Sequence, residues 1–202
     1  MASIESLDEL LQEELKDIYD AEKQLTKALP KLAKKATSEE LRSALEEHLR
    51  QTEQHVERVE QAFELMDLPA RGKKCVGMQN LIREGEEMIS EADDDAVRDA
   101  VMIASAQKVE HYEIASYGTV RTWASLLGKS DVASLFEETL EEEKDADRKL
   151  TEIAESFINE AAADKGEEAE ADQRRGRGAA ARAARAATTR GGRPVAADRK
   201  RK

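Results

Sequence analysis

Cysteine, proline and aromatic side chains are all scarce in this sequence. Cys75 is its only cysteine, which excludes an internal disulfide framework and points to a reducing, cytoplasmic setting. Its expected role is that of a small core residue. Phe, Trp and Tyr together make up 3% of the 202 residues, and there are three prolines. No apolar run approaches the roughly 18 residues of a membrane span, and Met1 to Ser6 has neither a basic start nor an apolar stretch. A soluble chain with no export signal and no membrane contact is expected. What fills the sequence instead is Ala, Glu, Lys and Leu, the composition of a helical protein. An apolar share of 40% suffices for one domain with a sizeable core.

Charge divides the chain into two materials. Residues 174–202 hold eleven Arg or Lys and one acid, Asp198, a net of +10. The whole chain is −12, so residues 1–173 carry −12 − 10 = −22. Apolar periodicity stops after Asn159. Residues 160–172 are acidic and Ala-rich, and residues 173–202 are Arg, Ala and Gly with almost no large apolar side chain. Such a segment gains too little burial to offset its ordering entropy, so 160–202 is expected to be a disordered tail behind a helical domain at 1–159.

The helical periods come in order. The first helix is predicted from Ser6, with Glu9 completing a capping box, along a stripe of Leu7, Leu11, Glu14, Ile18, Ala21 or Glu22, Leu25, Leu29 and Leu32. Pro30 is expected to kink its last turns. Thr37 and Glu40 form a second box before the stripe Leu41, Leu45, His48, Thr52, His55, Val59, Ala62 and Met66. After a connection at 67–78, a short helix is predicted over 79–92. Asp93-Asp94-Asp95 then caps a long helix that runs to Leu127, where Gly128 closes it. Ser130 is placed as the cap of a last helix to about Asn159, with the stripe Phe136, Leu140, Glu143, Asp147 (or Ala146), Leu150, Ala154 and Phe157. The predicted fold is all-α: two antiparallel helix pairs joined by a crossover, the ferritin-like four-helix bundle.

Acids lie where core residues belong. In the long third main helix, Ala96, Ala100, Ile103, Ala106, Glu110, Ile114 (or Glu113), Tyr117, Val120 and Ala124 form one stripe. A carboxylate buried there needs a salt bridge, a shared proton or a metal ion. Counting from each turn puts Glu22 opposite about residue 52, among His48, Gln51, Thr52 and His55. The same count puts Glu110 and Glu113 opposite about 148 and 145, beside Glu143 and Asp147. Inward acids and imidazole thus share one level near mid-bundle. Hard oxygen donors with imidazole suit iron, manganese or zinc. Other residues read more plainly: Glu141-Glu142-Glu143 is mostly a solvated face with Glu143 inward and Glu142 the alternative, His55 reads as partly exposed or hydrogen-bonded rather than as a ligand, and His111 points away from Glu110.

Several segments together carry a family resemblance. They are Ala21-Glu22-Lys23-Gln24-Leu25, His48-Leu49 with Thr52, Lys74-Cys75-Val76, Gln107 through Tyr117, and Thr139-Leu140-Glu141-Glu142-Glu143-Lys144 with Asp147 and Leu150. Over Ser6 to Ile158 the sequence resembles the YciE/YciF family of ferritin-like stress-response proteins. That resemblance implies a bundle, often dimeric, with a dinuclear metal centre of iron, and the ligands Glu22, His48, Glu110, Glu113, Glu143 and Asp147. The pair Glu110-x-x-Glu113 also resembles the third-helix carboxylates of rubrerythrin-type sites. Di-iron bundles usually supply Glu-x-x-His from two helices, and this chain has none.

Two functional readings follow. In one, a di-iron protein consumes peroxide or dioxygen, or oxidises Fe(II), with Glu110 or Glu113 bridging, Glu22 and Glu143 terminal, and Tyr112 or Tyr117 orienting bound oxygen species. In the other, the bundle is a scaffold and residues 173–202 bind DNA or RNA through phosphate contacts.

Overall fold

A computed structural model gives the structure of residues 4–166 and of Arg175 and Arg177. The described elements are helical: α1 (Leu7–Lys35), α2 (Glu39–Leu65), α3 (Val76–Glu91), α4 (Asp95–Leu126) and α5 (Ser130–Ile153), followed by a π-helical turn at Ala154–Ile158. Helix then continues to Gly166, so the chain does not lose its order at Asn159 as expected. The rest of the predicted tail lies outside the described residues, Arg175 and Arg177 excepted. None of the described helices is long and apolar enough to cross a membrane.

The start of α1 follows its sequence signal. Ser6 Oγ accepts from Glu9 N at 3.1 Å, and Glu9 reaches back to the Glu5 amide at 2.7 Å. The helix passes through Pro30 and ends only at Lys35. At α2 the expected box is replaced. Ser38, not Thr37, is the cap and accepts from Leu41 N at 3.3 Å. Asp99 of α4 takes the Thr37 hydroxyl at 2.6 Å and the Thr37 and Ser38 amides at 3.0 and 2.7 Å. A tertiary acceptor therefore outcompetes the local one, and it ties the α1–α2 turn to the first turns of α4.

Asp94 caps α4 through Ala96 N and Val97 N. Gly128, at φ +73°, turns the chain into α5. Ser130 lies inside α5 rather than capping it; Lys129 holds the cap position with no side-chain bond. The π turn inserts extra length at the end of the last stripe. Ile153, Ala154 and Ile158 are buried there, and Phe157, predicted inward, is 49% exposed.

The topology is up, down, down, up. Leu11 and Leu15 of α1 pack with Val59 and Phe63 of α2, Val120 and Ala124 of α4, and Val132 and Phe136 of α5 in one apolar cluster. Leu29 and Ala33, Leu41 and Leu45, Met102 and Ile103, and Leu150 and Ile153 form a second cluster toward the other end. Parallel α2 and α4 require the long crossover that contains α3, which is the ferritin-like arrangement. Between the two apolar clusters lies a polar belt.

Candidate metal centre

The belt is built from one level of each main helix. Glu22 of α1, His48, Thr52 and His55 of α2, Glu110 and Glu113 of α4, and Glu143 of α5 are all buried. His48 and His55 lie seven residues apart, two turns on one face, and their rings sit 6.4 Å apart. Thr52 between them donates back to the His48 carbonyl at 2.9 Å and offers the belt no charge.

Two groups of side chains converge. One is His48, Glu110, Glu113 and Glu143; the other is Glu22, His55 and Glu143; within each group the potential ligand atoms lie within 4.8 Å of one another. Glu143 belongs to both. His48 Nε2 is 3.3 Å from Glu110 and 3.8 Å from Glu143. His55 Nδ1 is 2.9 Å from Glu143 and 3.7 Å from Glu22. Proximity does not satisfy these atoms. Glu22 Oε2, His55 Nδ1, Glu110 Oε2, Glu113 Oε2 and both Glu143 oxygens are buried without a hydrogen-bond partner. Buried polar atoms are normally paired, so six unpaired donor atoms facing one another fit a cation.

The surroundings aim these atoms inward. His55 Nε2 meets Glu142 at 2.8 Å, and Arg58 holds Glu142 through two bonds. Nδ1 is thereby left to face Glu22 and Glu143, the orientation that outer carboxylates impose on metal-ligating histidines. The Tyr117 hydroxyl donates to Glu22 Oε1. Tyr112, by contrast, turns away from the belt: its hydroxyl donates to Asp17 at 2.8 Å and meets Cys75 Sγ at 3.1 Å.

Without a cation the belt must hold protons. Burial pushes the Glu22 carboxyl up to about 7, against the pull of His55. Burial, then the nearby Glu143 charge, pushes Glu110 and Glu113 well above the usual carboxylate range. Burial also opposes the charge of Glu143, but the adjacent His55 and His48 rings outweigh it and hold Glu143 below its ordinary value. His48 is lowered by burial. Burial would lower His55 too, yet the Glu142 bond and the Glu143 carboxylate beside Nδ1 raise it to about 10.

Five of the six ligands implied by resemblance come together: Glu22, His48, Glu110, Glu113 and Glu143. Asp147 stands apart. It is 22% exposed, accepts from Gln107 Nε2 at 3.1 Å, lies 3.4 Å from His111 Nε2, and joins neither group. The structure brings in His55 instead, and gives the shared position to Glu143 rather than to Glu110 or Glu113. The spacing of His55 from His48 was the signal for it. His55 is fully buried, not partly exposed, and Glu142, read only as the alternative to Glu143 on the stripe, lies at the rim and bonds its ring. His111, 69% exposed, points outward as expected.

Residues 6–163 match the family described as Domain of unknown function (DUF892). The chain belongs to this DUF892 family. The protein YciF of Escherichia coli K12 is 48% identical over 152 residues, 75% of this chain and 92% of that protein. The crystal structure of the E. coli stress protein YciF superposes with a TM-score of 0.74 at 46% identity, covering 77% of this chain and 99% of that one. YcfI of Rhodopseudomonas palustris gives 0.73 at 42% identity, covering 74% and 95%. The resemblance read from the sequence therefore holds, and this DUF892 bundle carries a buried His/Glu cluster able to bind a metal ion. The family match ends at residue 163, ahead of the Arg-rich segment.

Proposed function

We propose that the chain holds two metal ions, iron in the working protein, and acts in stress by consuming peroxide or dioxygen or by oxidising Fe(II). The observation that supports this reading is the set of six buried, unpaired donor atoms at one level. Charge supports it as well. Glu22, Glu110, Glu113 and Glu143 are four carboxylates, and two divalent cations balance four negative charges. His48, Glu110 and Glu113 would hold one ion and Glu22 and His55 the other, with Glu143 common to both. Iron so held supplies the two electrons that a peroxide bond accepts. The chain's own residues orient and shield. Tyr117 fixes one oxygen of Glu22, Glu142 fixes the His55 ring, and the two apolar clusters flank the belt on either side. The protons that Glu110 and Glu113 carry when metal-free leave as the ions arrive.

Anaerobic Fe(II) loading followed by metal analysis tests this. About two ions per chain are expected. Fewer than about 0.3 per chain would end the reading. Addition of peroxide should then change the optical spectrum of the loaded protein before dioxygen does, or with it.

A second reading concerns residues 174–202, whose net +10 lies outside the family match. A phosphate-binding role fits that charge. Full-length protein should retard DNA or RNA at low salt, and a chain ending at 172 should not. Equal mobility of the two would refute it.

A further inference from the structure

Two openings of very different size reach the metal centre. Between α1, α3 and α4, where α3 packs mainly on α4 and only lightly on α1, a cavity of about 60 Å³ touches His48 and Glu110. Between α2 and α5 a cleft of about 580 Å³ touches the same two side chains. It exists because α2 packs less closely on α5 than on α1, and because Ala44 and Ala146 in its lining are too small to fill the gap.

The cleft is graded from mouth to floor. Three acids, Glu40, Glu47 and Asp145, and one base, Lys149, line it where it meets solvent, a balance that favours cations. Lys149 and Glu40 meet from α5 and α2 at 3.5 Å, both about half exposed, a pair too weak to hold the mouth shut. Below them Ala44 and Ala146 are part-buried. At the floor, Gln51 meets His48 Nδ1 at 3.4 Å and leaves Nε2 on the side of Glu110, 3.3 Å away. Glu110 Oε2, buried and without a hydrogen-bond partner, is a donor waiting at the inner end. Size separates the two openings. A divalent ion with six waters occupies roughly 180 Å³ at the liquid volume of water, which the cleft holds and the smaller cavity does not.

We propose that divalent metal ions enter and leave the centre through the α2–α5 cleft, passing Ala44 and Ala146 still hydrated and exchanging water for His48 and Glu110 at its floor. This port rests on the metal-binding part of the function proposed above, and on neither iron nor its oxidation.

Stopped-flow mixing of the metal-free full-length chain with Co(II), whose visible bands report its coordination, is the test. Ala44→Trp and Ala146→Trp each put a ring into the cleft without replacing a donor. Each should slow uptake by at least about tenfold, because close-packed protein then stands in the ions' path, while the final stoichiometry stays that of the unmodified chain. Ala28→Trp, in the lining of the smaller cavity, should leave the rate unchanged. Circular dichroism checks that the helices persist. A reversible plug avoids any effect on folding. Ser43→Cys, exposed at the mouth, takes a bulky disulfide-linked group after folding, while Cys75 is fully buried. Uptake should slow with the group attached and recover when a reductant removes it. Unmodified rates in both cleft Trp variants and in the tagged chain would overturn the proposal, as would slowing confined to Ala28→Trp. Full uptake at unmodified rates in the plugged chains removes the port and keeps the centre; no uptake by the unmodified chain removes both.

Discussion

A neutral imidazole offers one nitrogen as a lone-pair donor, and for His55 the choice is made by a residue at the rim of the bundle. Glu142 takes the Nε2 side at 2.8 Å and is itself held by Arg58; the His55 bond first, and Arg58 after it, hold its carboxyl down at about 2. Removing that acid frees the ring to turn. Glu142→Leu should lower metal affinity by about 10- to 100-fold, read by competition with a chelator, and Glu142→Gln should recover part of it. The belt also sets a pH response. Glu22 in the folded, metal-free chain titrates near 7, above its ordinary 4.5, so folding binds a proton and stability falls as pH rises between those values. His55 pairing contributes stability below about 6.5 that is lost as pH rises through about 10. Metal-free protein should therefore melt at lower temperature at pH of about 8 than at about 5, and metal loading should reverse the order because bound ions favour ionised ligands. Thermal melts with and without metal check both signs. At this scale the sequence showed which acids face inward, since a helical stripe is a local property. It did not show that His55 is a donor or that Asp147 turns to Gln107 and His111, because those outcomes depend on side chains of other helices.

Among the elements, the α1–α2 turn depends most on a distant partner. Asp99 accepts three hydrogen bonds from Thr37 and Ser38. Asp99→Ala leaves two amides and a hydroxyl without their acceptor and should cost about 3 kcal/mol, measured by denaturant unfolding, while metal content stays unchanged. Gly128→Ala meets open space but a φ of +73°, and should cost about 1 kcal/mol. Periods and capping residues placed every helix within a few residues, since both signals act inside one turn. The cap at Ser38 and the outward Phe157 escaped them. The first was decided by Asp99, 61 residues away, and the second by a π turn that shifts the stripe without a residue type to announce it.

For the molecule as a whole, antiparallel geometry made the belt legible. Equal counts from each turn give equal heights, so Glu22, His48, Glu110 and Glu143 could be matched before any distance was known. The small cavity lined by α1, α3 and α4 was not legible, because it arises from the lean of α3 and no single helix contains it. The belt divides the interior into two apolar clusters, one toward each end. Most helices open from their tips, where the backbone lacks partners. Here the cohesive packing lies toward the tips and the unpaired polar groups at the waist. Amide hydrogen exchange in the chelated protein should accordingly be quickest near residues 48–55 and 110–113, slower on either side, and should even out once ions return. The ions would then act as a rivet through the middle of a rod that is already secure at both ends.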